Sequence, residues 1–102
     1  MRMIQEVKVT LKQLQVSLSG SLHTEEAKAI QESLAGYIDR GHITILIDLA
    51  KVDHIDYFGL DALVFIHKRA LSKGGSLKIK GLQGDMKTLF EVTQLNKMFT
   101  IS

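Results

Sequence analysis

Between Ile43 and Leu49 the chain is apolar except at Thr44 and Asp48, and three of the five apolar residues are isoleucine. β-branched side chains are stiff at χ1 and suit a pleated surface better than a helix. Such a run reads as a buried central strand, and the segments beside it must supply its cover. Upstream, Ala27, Ile30, Leu34 and Ile38 recur at helical spacing. Downstream, a helical pattern fits roughly 58–73 and stops at Gly74-Gly75. A strand between two helices belongs to a sheet whose parallel strands are joined by crossover helices.

The rest of the chain fits around that unit. Residues 4–10 read as a strand, with Val7 and Val9 alternating with polar neighbours. Residues 14–18 read as a second, with Leu14, Val16 and Leu18 on one face. The short Leu11-Lys12-Gln13 connection makes these an antiparallel hairpin. Gly20 is expected to end it. Thr24 is the expected cap of the first helix, with Glu25 and Glu26 in the first turn, where the helix dipole favours them. Gly41 is the expected stop. Lys51 to Asp56 reads as a polar loop anchored by Val52 and Ile55. Leu77 and Ile79 mark a short strand, Met86, Leu89, Phe90 and Thr93 a third helix, and Met98, Phe99 and Ile101 a last strand. The expectation is an α/β fold: a mixed sheet of four to five strands, the first antiparallel, with helices packed against it. At 102 residues the chain is expected to form one domain, 1–102.

Several function classes lose support at this point. The 13 basic residues barely outnumber the 11 acidic ones, and Lys and Arg form no stripe, which argues against nucleic acid. No stretch approaches the roughly 18 apolar residues of a membrane-spanning helix. The Met1-Arg2-Met3-Ile4-Gln5-Glu6 start lacks the apolar segment of a secretion signal, so a cytoplasmic location is expected. There is no cysteine, which removes disulfides and thiolate metal sites. Neither phosphate-binding glycine motif occurs, and no serine has a nucleophile-elbow context. No catalytic residue and no cofactor is expected. His23, His42, His54 and His67 show no compact ligand spacing. His23 and His54 are expected on neighbouring loops at one end of the sheet, near Asp53 or Asp56, and spacing gives no support for a metal there.

The second helix has apolar residues on two sides. Leu60, Leu63, Val64, His67, Ala70 and Leu71 gather on one, expected to face the sheet. Phe58, Ala62, Phe65 and Arg69 gather on the other. Leaving two phenylalanines in water forgoes burial worth about 1.5–3 kcal/mol each, and contiguous exposed apolar surface marks a binding site.

The segment Ile47-Asp48-Leu49, Val52, then Ile55-Asp56-Tyr57-Phe58-Gly59-Leu60 resembles the signature of the STAS domain of bacterial anti-sigma factor antagonists. That signature is an apolar strand ending Asp-Leu, a short loop, and Asp-Ser-Ser-Gly-Leu opening a helix. The likeness continues through Gly74-Gly75, Leu77-Lys78-Ile79, Gly81-Leu82, Leu89 to Leu95 and Phe99-Thr100-Ile101. Gly20-Ser21-Leu22-His23 matches the family's Gly-Glu-Leu-Asp more weakly. The resemblance implies partner switching in signal transduction and transcription regulation. A kinase-like anti-sigma factor phosphorylates the hydroxyl residue just before the glycine, and the added charge breaks the complex.

Here the phosphoacceptor position is Phe58, which has no hydroxyl. Tyr57 holds the neighbouring position, with its oxygen far from where a serine's would lie. The usual serine switch is therefore expected to be absent, leaving a protein-docking surface of Asp56, Tyr57, Phe58, Gly59, Ala62, Phe65, Arg69 and His23. Asp56 is also expected to cap the second helix. The expected partner is a kinase-like anti-sigma factor or related signalling protein. The alternative is a small STAS subunit of a larger assembly, such as the cytoplasmic partner of an ABC (phospholipid) transporter ATPase. A homodimer through Phe58 and Phe65 is a further possibility.

Overall fold

In the computed structural model, residues 4–101 are described. The reading of Met1-Arg2-Met3 lies outside them. Strand β1 (Ile4–Val9) pairs antiparallel with β2 (Leu14–Leu22). Helix α1 (Thr24–Asp39) leads to β3 (Thr44–Ile55), α2 (Tyr57–Ser72) to β4 (Ser76–Lys80), and α3 (Gly84–Val92) and a one-turn α4 (Leu95–Met98) to β5 (Thr100–Ile101). Strands β2 to β5 are parallel, and the sheet order is β1-β2-β3-β4-β5.

That order decides the layering. Right-handed crossovers that always step in the same direction place their helices on one face of the sheet. The sheet is accordingly two-sided. Leu14, Val16, Leu18, Ile45, Ile47, Leu49, Leu77 and Ile79 are buried, while Ser17, Ala50, Lys78 and Lys80 on the opposite face are exposed. Val7 and Gln5 carry the inner face into β1, and Gln5 Nε2 donates to Ser33 Oγ on α1 at 3.0 Å. Ala27, Ile30, Leu34 and Ile38 form the buried stripe of α1, as their spacing predicts. Met86, Phe90 and Phe99 close the far end.

Two segments differ from the sequence reading for one reason. The described β1–β2 pairing reaches Ser19, just before Gly20, but β2 itself does not end there, and Lys51–Ile55 is not a loop, because β2 and β3 stay paired up to Leu22 and Ile55. The register shifts between Ser17 and Ser19, and again between Gly20 and Ser21, and each time β3 carries one extra residue. These are β-bulges. They stretch the period of β3 from two to three, so that Leu49, Val52 and Ile55 all point into the core. Alternation is lost in the sequence although the strand continues. Gly20 has φ 96°, a left-handed conformation that glycine adopts without penalty.

A second difference is the roll of α2. The buried stripe is Gly59, Ala62, Leu63, Ile66 and Ala70. Leu71, expected against the sheet, is 52% exposed, and Ala62, expected on the open side, is buried. The helix packs against α1 as well as β3 and β4, so its buried arc is turned toward α1 by roughly a quarter-turn. Small side chains at positions 59, 62 and 70 permit that approach. Arg69 and Asp39 join the two helices near their C-terminal ends, with Arg69 Nη2 2.7 and 2.8 Å from the two carboxylate oxygens. Two smaller corrections concern helix caps and the last segment. The N-cap of α1 is His23, Thr24 being the first helical residue, and Met98 belongs to α4 rather than to the last strand.

His67, expected in the core stripe, lies half-buried at the edge of α2's packed face, its ring edge-on to Phe99 with centroids 5.1 Å apart. Its Nδ1 is shut off from solvent and has no hydrogen-bond partner. Desolvation therefore pushes its pKa below the ordinary 6.5 and favours the neutral ring. The unfolded chain then binds a proton more readily than the folded one, so stability rises with pH across this titration. The contribution is complete above the unfolded value and is lost as pH falls through the folded one. Thermal unfolding midpoints taken between about pH 5 and about pH 8 should fall more steeply on the acid side for the native chain than for His67→Leu. Parallel curves would refute this account of His67.

Candidate partner-binding site

Helices α1 and α2 both begin at the C-terminal edge of the sheet, immediately after β2 and β3. This is the edge where open parallel sheets present their binding residues. What brings the two helix starts together is a backbone contact. The Asp56 N–H donates to the Leu22 carbonyl at 3.2 Å, extending the β2–β3 pairing by one residue. Asp56 is in extended conformation, and its Oδ1 accepts the Gly59 N–H at 2.9 Å. The expected N-cap of α2 is thus present.

Gly59 sits directly against β2. A Cβ placed there would lie 2.5 Å from the Leu22 carbonyl oxygen and 2.6 Å from Ile55 Cγ1. The position has no room for a side chain, and the first turn of α2 is seated on the ends of both strands. Gly59 and Ala62 are therefore buried, and neither offers a side chain to a partner.

The aromatic residues do the opposite. Tyr57 is 75% exposed, Phe58 55% and Phe65 41%. The Tyr57 and Phe58 rings meet edge to face, with centroids 6.1 Å apart. Phe58 and Phe65 are seven positions apart, two helical turns, and share the outward face expected for them. Arg69, placed on that face by the wheel, is turned toward α1 and engaged with Asp39. Leu71 adds apolar surface on α2 that the helical wheel does not indicate, because the roll of the helix is set by α1 rather than by the sheet alone.

His23 and His54 are closer than their separation in the chain suggests. His54 follows the second bulge of β3 and is paired with Ser21 on β2. Its Nδ1 lies 2.6 Å from Nε2 of His23, and the rings are nearly perpendicular. The neighbouring Ser21 hydroxyl donates to Asp53 Oδ1 at 3.3 Å. The His23 N–H donates to the Glu26 carboxylate at 3.4 Å. Among the described residues, no three or more His, Cys, Asp or Glu side chains are grouped to hold a metal.

The arrangement is a strand ending in a capping aspartate, a glycine seated on the neighbouring strand, and a helix whose first turn faces outward. It coincides with the signature segment noted in the sequence. The STAS domain family model matches residues 4–102. The chain belongs to the STAS domain family. The anti-sigma-B factor antagonist of Bacillus subtilis (strain 168) is 30% identical over 97 residues, covering 95% of this chain and 88% of the relative. The crystal structure of an anti-sigma factor antagonist from Mycobacterium paratuberculosis superposes with a TM-score of 0.86 at 19% identity, covering 98% of this chain and 85% of that one. The Bacillus cell fate determinant SpoIIAA in its phosphorylated form superposes with a TM-score of 0.78 at 16% identity, covering 97% and 91%. This STAS chain is therefore a homologue of anti-sigma factor antagonists, a regulatory and non-enzymatic family. Among its described residues no helix is long and apolar enough to cross a membrane.

Two substitutions probe the seat of α2. Asp56→Ala removes one cap and should lower stability by about 1 kcal/mol. Gly59→Ala forces a methyl group against the Leu22 carbonyl and should cost about 1–3 kcal/mol. Reversible urea unfolding measures both. A neutral Gly59→Ala would mean that the start of α2 can lift from β2, contrary to the packing described.

Proposed function

We propose that this chain is a non-catalytic STAS module that binds a kinase-like anti-sigma factor, or a related signalling protein, through the outward face of the α2 N-terminus. The observation that carries this reading is the exposure of Tyr57, Phe58 and Phe65 on the helix whose first turn Asp56 and Gly59 hold in place. Rings presented from a fixed helix lose little conformational freedom on docking, and buried aromatics dominate the energetics of protein interfaces. Tyr57, Phe58 and Phe65 supply the contact area. Asp56 sets the helix start. His23 flanks it, while Arg69 is held against Asp39 of α1 and lies off the face.

Phe58 stands where the family's signature carries its phosphoacceptor serine, and it has no oxygen to receive a phosphoryl group. The complex then lacks the usual serine switch, and its lifetime is governed by other means. The partner and its sigma factor would place the module in the cytoplasm, with residues 1–102 acting as one unit. The family membership and the 30% identity to the Bacillus subtilis antagonist support the class of partner.

The test is binding of the purified chain to the histidine-kinase-like anti-sigma factor of its own genome. Phe58→Asp introduces a charge at the centre of the patch and should weaken binding by at least about tenfold, since a charge buried without a partner costs several kcal/mol. Unchanged affinity would remove Phe58 from the interface. Incubation with the kinase and labelled ATP should leave the native chain unmodified and label Phe58→Ser. Phosphate on any native residue from 56 to 59 would overturn the loss of the switch.

A further inference from the structure

The docking reading uses His23 as a flanking residue and gives no role to its contact with His54. That contact joins a half-buried and an exposed side chain 31 positions apart, His23 from the start of α1 and His54 from the bulged end of β3. Two imidazole nitrogens meet at 2.6 Å, Nε2 of one and Nδ1 of the other. In this contact one nitrogen carries a proton and the other presents its lone pair.

We propose that His23 and His54 form a two-donor site for a divalent transition-metal ion of the zinc, nickel or copper class. Imidazole nitrogen suits these ions. With metal–nitrogen bonds of about 2.0–2.1 Å, two nitrogens in adjacent coordination positions stand about 3 to 3.4 Å apart. The pair is already closer than that, so a small outward rotation, chiefly of the exposed His54 ring, admits the ion. The ring that donates the hydrogen bond moves its proton to its other nitrogen, and both rings then bind the metal as neutral imidazoles. No net proton is released from the pair.

A cleft of about 280 Å³ on the His54 side is lined by Asp53, Ile55, Asp85, Met86 and Leu89, and among the described residues no carboxylate joins the two histidines as a third donor. The backbone around the pair is fixed by the β2–β3 pairing, which includes Ser21 opposite His54 and Leu22 opposite Ile55. With two protein donors the site is open, and water fills the remaining positions.

The experiment uses the untagged full chain and Zn²⁺ alone. Zinc titration followed by NMR of the histidine rings should move His23 and His54 together and leave His42 in place. By calorimetry, His54→Ala and His23→Ala should each weaken Zn²⁺ binding by at least about tenfold, while His42→Ala keeps the native affinity. His54→Gln, which retains a long polar side chain on the strand, guards against loss through misfolding and should behave as His54→Ala does. Acidification should release the ion, because the ligands must be deprotonated to bind it. Zinc that leaves the His23 and His54 resonances unmoved at millimolar concentration overturns the site. So does native affinity in His54→Ala or His54→Gln.

Discussion

The seating of Gly59 on the carbonyl of Leu22 governs the organisation of the corner where β2 and β3 end and α1 and α2 begin. A side chain at that position would hold the first turn of α2 away from β2, and the cap supplied by Asp56 would lose its geometry. With glycine there, the ends of two strands and the starts of two helices become one rigid corner. The Asp56 N–H bond to Leu22 closes that corner from the backbone side. The outward rings of Tyr57 and Phe58 are thus presented by a support that has few ways to yield.

The sequence discloses this corner in part. The order of elements, the antiparallel first strand and the buried stripe of α1 all follow from periodicity, because each element buries one face in one regular direction. The Asp-x-x-Gly spacing at 56–59 likewise announces a capped helix start. The end of β3 is harder to see. Two bulges change its period from two to three, so Lys51 to Ile55 looks like a polar loop although all of it but the bulged Asp53 is paired with β2. The sequence contains the clue in Leu49, Val52 and Ile55 at equal spacing, but a helix turn would produce the same pattern over so short a stretch.

The roll of α2 escapes the sequence for a different reason. Periodicity reports that a helix has an apolar arc, while its direction depends on which neighbours share it. The arc here is divided between the sheet and α1, so Ala62 turns inward and Leu71 outward. Arg69 is drawn from the outward face of α2 toward Asp39 by the same packing. The two large aromatics, Phe58 and Phe65, remain outside under either roll. In this chain the backbone of the signature segment is held by Asp56 and Gly59, while the side chains of Tyr57 and Phe58 point away from the packing. An aromatic pair replaces hydroxyl groups there without disturbing the fold.

The strand order β1-β2-β3-β4-β5 carries a consequence for how the chain reaches its structure. Each strand docks beside the one synthesised just before it, and no strand has to be inserted between two that are already paired. Every sheet contact closes over a single intervening turn or helical connection, which keeps the sequence separation of contacts low for a parallel sheet. A nascent chain can add its strands in the order they leave the ribosome, each new strand extending the sheet at the growing end. The two-residue β5 pairs with Lys78 and Ile79 and makes a very short edge strand, a poor template for another chain.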